Sequence, residues 1–70
     1  MRYAVVLERA ESNWAAYVPD LPGCIAVGDT ADDVNRSIRT SIAMHLEGMI
    51  EDGLPIPEPS SRVEYVEVGA

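Results

Sequence analysis

The sequence predicts an α+β domain: a four-stranded mixed sheet in order 3-2-1-4 with one long helix on one face. Three observations predict it. Short runs of strand character fill residues 2–27, joined by links that allow only antiparallel reversals. A stripe at helical spacing follows: Val34, Ile38, Ile42, Leu46, Met49 and Ile50. A last run of strand type, Arg62 to Val68, comes after a proline-rich stretch. The 70 residues make one domain, 1–70.

The first strand is expected over Arg2–Glu8, apolar on both faces as a central strand is. Arg9 to Asn13 is polar and closes a hairpin. Trp14–Val18 and Cys24–Val27 read as the second and third strands. The helix is expected from Ala31 to Asp52. Thr30 is its N-cap, Asp33 stands at the acidic position of a capping box, and Gly53 is the residue that ends it. Such a helix is roughly 33 Å long, whereas a seven-residue strand covers about 23 Å. About two turns should therefore overhang the sheet, carrying His45, Glu47, Met49, Ile50, Glu51 and Asp52. Pro55, Pro57 and Pro59 make a stiff extended return. A right-handed crossover through the helix would then lay the fourth strand parallel to the first. One helix covers one face of this sheet, so the other face must be wet, dimerised or occupied.

The most constrained stretch is Tyr17 to Thr30. Pro19 and Pro22 each fix φ and each lack an N–H, so neither fits inside a regular ladder. Pro22-Gly23 is a strong turn signal. Asp20 is expected to bond its own backbone two residues on and hold the bend. Gly28-Asp29 breaks the next apolar run before Thr30. A turn this rigid presents a fixed surface beside the sheet.

Composition narrows the function. A domain this small buries only about 60% of its unfolded surface. With one cysteine and no Cys/His cluster, neither a disulfide nor a zinc site can staple it. Association with another chain is the remaining source of stability, so a homo-oligomer or a complex is expected. A lone cysteine and no signal segment fit the cytoplasm. The longest apolar stretch is far short of the ~20 residues of a membrane span. The net charge is −7, there is no lysine, and the five basic residues are all arginine. Such a chain is repelled by nucleic acid and suits a basic protein partner, although acidity also simply maintains solubility.

No residue carries an evident catalytic constellation, and no cofactor or metal is expected. A nuclease needs carboxylates converging on metal ions. The first strand offers Glu8 at its end, while Asp20 and Asp29 sit in turns, where such residues bend or cap the backbone. His45 has no evident partner or nucleophile and reads as an interface or surface histidine. Cys24 reads as a small buried hydrophobe with no local cation to activate it. Trp14 and Tyr17 read as sheet-packing residues that could instead anchor a partner.

The Pro19-Asp20-Leu21-Pro22-Gly23 turn, the Gly28-Asp29-Thr30 helix start, the long helix and the Pro55-Ile56-Pro57-Glu58-Pro59 exit, taken in this order, resemble the HicB antitoxin family. The match covers nearly the whole chain. The resemblance implies a truncated ribonuclease-H-like β-β-β-α-β fold and no enzymatic activity. It also implies a partner: a small basic HicA-type toxin that cleaves messenger RNA with a histidine, neutralised by covering that histidine or the RNA surface. Many members carry a C-terminal DNA-binding domain. The chain resembles the short form without one, so no direct nucleic-acid contact is expected of it alone. Partner-contact candidates are Glu47, Met49, Glu51 and Asp52 on the overhang and Glu64 and Glu67 on the last strand. An orphan oligomeric scaffold and a metal-dependent nuclease remain as alternatives.

Overall fold

The computed structural model describes residues 1–69. Among them lie three strands and one helix: β1 (Val6–Arg9), β2 (Trp14–Tyr17), β3 (Ile25–Gly28) and α1 (Ala31–Glu51). The strands form an antiparallel sheet in order β1-β2-β3. The fold is α+β as expected, but the four-stranded sheet in order 3-2-1-4 is not formed. Arg62–Val68 has no strand partner among the described residues, and β1 is an edge. The physical reason lies just upstream. Pro55, Pro57 and Pro59 have no N–H to donate. The next two backbone N–H groups, of Ser60 and Ser61, both donate to the Asp20 carboxylate at 2.9 Å. The residues leading into the expected strand are thus held at the Asp20 turn, and a groove lies between Ser61–Val63 and Arg2–Ala4, the segment ahead of β1.

The register settles which residues face the helix, which the weak alternation of the sequence left open. Directly opposed residues of an antiparallel pair share a face. Leu7, Ala16 and Ala26 form one cross-strand row, and Trp14 lies opposite Arg9 and Gly28. Leu7, Trp14, Ala16 and Ala26, with Tyr3 and Val5 ahead of β1, pack towards α1. The opposite face carries the row Val6, Tyr17, Ile25 and the row Glu8, Ala15, Val27. Among the described residues nothing covers that face: Ile25 is 66% and Val27 64% exposed. Trp14 therefore belongs to the core, and Tyr17 stands on the open face.

The core is small: Ala16, Val18, Leu21, Cys24, Val34 and Ile38, with Ile42 and Leu46 half-buried beside them. Helix α1 starts where the sequence placed it. Thr30 is extended, and its hydroxyl accepts from the Asp33 N–H at 3.1 Å. Gly28 permits this start, because a Cβ there would lie 2.9 Å from the Val34 nitrogen. The helix ends in a Schellman motif: Gly53, at a φ of 69°, donates to the Ile50 carbonyl and Leu54 to that of Met49. The 21 residues of α1 span about 31 Å against about 13 Å for a four-residue strand, so the overhang is larger than the sequence implied. Burial falls along the stripe in step, from Val34 and Ile38, fully enclosed, to Ile50, exposed.

Leu21 is the largest fully enclosed side chain and comes from a turn rather than from the sheet or helix. Leu21→Ala should lower the unfolding free energy by about 2–5 kcal/mol, read from the urea midpoint at unchanged slope.

Candidate interaction surface

The Pro19–Gly23 motif is two β-turns sharing one residue. The Leu21 N–H donates to the Val18 carbonyl at 3.0 Å, and the Cys24 N–H donates to the Leu21 carbonyl at 3.0 Å. Each turn has proline at its second position, Pro19 and Pro22, where the ring's fixed φ is pre-set. Gly23, at a φ of 85°, takes the third position of the second turn, as a type II turn requires. The shared corner drives the Leu21 side chain into the core, and the Val18 N–H closes the loop on the Cys24 carbonyl at 3.2 Å.

Asp20 stands on the outer side of this double turn. It does not brace its own bend, and the residue two positions on, Pro22, has no N–H to offer. Its carboxylate instead accepts four hydrogen bonds from the chain forty residues later: from the Ser60 and Ser61 N–H groups and from the two serine hydroxyls, at 2.8–3.1 Å. The Ser61 N–H, followed by the Ser61 hydroxyl and the Ser60 N–H, holds the carboxyl at about 2, below its ordinary 3.8. Close by in the chain, the Tyr3 hydroxyl donates to the Pro57 carbonyl at 2.6 Å. Together these contacts tie the proline-rich exit to the turn and to the N-terminal segment. Sequence reasoning assigned Asp20 to the right turn but missed its partners. The signal was the adjacent Ser60-Ser61 pair, whose four donors suit one carboxylate.

The other singled-out residues scatter. Asp29 is exposed ahead of the Thr30 cap. Among the described residues no group of three or more His, Cys, Asp or Glu side chains gathers to hold a metal ion. Cys24 is buried, and burial pushes its thiol up. His45 is half-buried in a shallow groove shared with Cys24, Ile25, Ser41 and Met44. Among the described residues no helix is long and apolar enough to cross a membrane. Glu47, Glu51 and Asp52 are exposed at the end of α1, around half-buried Met49 and exposed Ile50 and Leu54. Glu64 and Glu67 are exposed on the tail, where Glu64 pairs with Arg62 at 3.3 Å. The overhang and the tail acids thus occupy two separate elements.

Fold and surface define a small acidic α+β domain with an apolar sheet face and an acidic helix end both left open. The family model described as a HicB-like antitoxin of bacterial toxin–antitoxin systems matches residues 3–68, and the chain belongs to that family. It is 35% identical over 71 residues to Antitoxin HicB 2 of Photorhabdus laumondii, covering all of this chain and 51% of the relative. It is 32% identical over 66 residues to an uncharacterized 14.9 kDa protein of Haemophilus phage HP1, covering 94% of this chain and 50% of the relative. The chain thus spans about half the length of these two curated relatives. Among solved structures, the HicA3 and HicB3 toxin–antitoxin complex matches with a TM-score of 0.73 at 27% identity, over 86% of this chain and 70% of the other.

The Asp20 clasp has a worked sign. A carboxyl held below its free value contributes stability that is present above pH 3.8 and is lost as pH falls towards about 2. Asp20→Asn should remove that acid dependence. At neutral pH it should also speed amide exchange at Ser60 and Ser61 while leaving the α1 amides protected, which hydrogen-exchange NMR reads directly.

Proposed function

We propose that this chain is a non-enzymatic antitoxin that binds a small basic HicA-type toxin and neutralises it by electrostatic match and occlusion of its active site. Family membership and the likeness to one chain of a toxin–antitoxin complex support the class of partner. The observation that carries the mode of binding is the end of α1. A helix C-terminus is the negative pole of the macrodipole and favours cations. Here the last turn holds no basic residue, while Glu47, Glu51 and Asp52 crowd it. Glu47 and Glu51 are also a like-charge pair four apart, which costs the free helix a few tenths of a kcal/mol. Such an arrangement works against the isolated domain and is relieved by a cationic partner.

The same helix end offers apolar area inside the acidic rim, through Ile50 and Leu54. Charge of this sign steers a basic partner and sets its orientation, and the apolar centre holds it once docked. The net charge of −7 extends the attraction over the whole surface.

Titrating the chain into an RNA-cleavage assay of its cognate toxin tests the reading: cleavage should stop near stoichiometric antitoxin, and undiminished cleavage at excess would overturn it. Glu51→Lys gives a sharper expectation. It should stabilise the free protein by about 0.5–1 kcal/mol, because it removes a repulsion and complements the dipole. The same change should weaken neutralisation about tenfold and reduce its salt dependence.

A further inference from the structure

We infer that the toxin docks on a row of α1 centred on Gly48, with an apolar side chain seated in the groove between Met44 and Ile25 and cations set against Glu51 and Asp52. This rests on the antitoxin reading and deepens it, by naming the groove and the bare backbone that receive the partner. It starts from a cost that the single chain does not recover. Gly48 is the one glycine of α1 and lies inside the helix, where glycine is less favourable than any ordinary side chain. Gly28 shows what justifies a glycine in this fold, because a Cβ there would strike the start of α1. At Gly48 a Cβ would meet nothing within 4 Å. Its backbone is not left-handed either, unlike that of Gly23 and Gly53. Neither crowding nor conformation within the chain calls for glycine at this position.

Helical spacing sets what surrounds this gap. Ser41, His45, Gly48 and Asp52 follow one another along one row of the helix, and Met44, Glu47 and Glu51 along the next row outward. At the root of both rows a shallow groove runs between Ser41, Met44 and His45 on α1 and Gly23–Ile25 at the start of β3. Met44 and Ile25 are apolar walls of that groove, and each is 66% exposed. One turn further along α1 comes the bare backbone of Gly48, and one turn beyond that the carboxylates of Glu51 and Asp52. Apolar walls, a gap and an acidic end thus lie in sequence along one side of the helix.

Charge decides the occupant. No basic residue stands in the last turn of α1, and the carboxylates there attract a basic chain. Like charge disfavours a second copy on the same row, at a net charge of −7 for each. The partner's chemistry follows from the surface: an apolar or aromatic side chain flanked by arginine or lysine. Methionine is an adaptable wall for such an anchor. The missing side chain at Gly48 lets the partner's backbone come close to the helix, so the anchor and the cations engage together.

The test measures thermal midpoint, toxin affinity and RNA cleavage for the whole chain and its variants. Gly48→Ala and Gly48→Gln both restore helix propensity, so each should raise the midpoint of the free chain by about 3–6 °C. Gly48→Gln should nevertheless weaken toxin binding about tenfold or more, and Gly48→Ala less, because the smaller group intrudes less. Met44→Ala should weaken binding about fivefold at unchanged salt dependence, in contrast to Glu51→Lys. A purely structural glycine would give neither the higher midpoint nor the lost affinity. Should Gly48→Gln fail to fold, Gly48→Ala and Met44→Ala carry the test. A wild type that leaves the toxin active would sink the antitoxin reading and this inference with it. Wild-type neutralisation that Glu51→Lys weakens, but that both Gly48 variants and Met44→Ala match, would overturn the docking row and leave the antitoxin reading standing. A Gly48→Gln chain that changes its own sedimentation while binding toxin as wild type does would assign the row to contact between copies, and would overturn the inference as well.

Discussion

The double turn at Pro19–Gly23 is the constraint on which the rest of the structure hangs. Its two sides do opposite jobs. Inward, the shared corner plants Leu21 at the centre of a core that has few other large side chains. Outward, Asp20 holds the returning chain at Ser60 and Ser61. The two prolines and Gly23 make the backbone geometry nearly obligatory, so both side chains are aimed before any packing forms. In a domain of 70 residues that economy matters: one five-residue turn fixes β2, β3, the core and the C-terminal tail relative to each other.

The helix extends this frame beyond what it can cover. Its first turns lie on the sheet and enclose Val34 and Ile38, while about three turns at its C-terminal end reach past the sheet. A helix held by packing at one end tolerates poor electrostatics at the other, because its stability comes from the buried face and not from its own terminal charges. That is how three carboxylates can stand at a helix C-terminus. The stable half of α1 supports an acidic surface that an isolated helix would penalise.

The opposite face of the sheet shows the limit of the architecture. One helix covers the row Leu7, Ala16, Ala26 and leaves Val6, Tyr17, Ile25 and Val27 to solvent. A bare face, a bare edge and a bare tail leave much of the apolar surface of this small chain in water.

By itself, the sequence determined what is local. The Thr30 cap, the Gly53 stop, the three strands within a few residues and the turn itself follow from dihedral preferences and capping chemistry, which act over a handful of residues. The acidic overhang was legible for the same reason, since helix length and strand length are set residue by residue. Only the tertiary structure decided what depends on distant segments meeting. Strand parity could not be read, because the first two strands are apolar on both faces, and it took the register to divide Trp14 from Tyr17. Nor could the fate of Arg62–Val68 be read, because its pattern announces a strand without naming a partner. The structure leaves it outside the sheet and holds the residues just before it, Ser60 and Ser61, on a carboxylate forty residues away. Periodicity along a chain carries no record of such a long-range competition for hydrogen bonds.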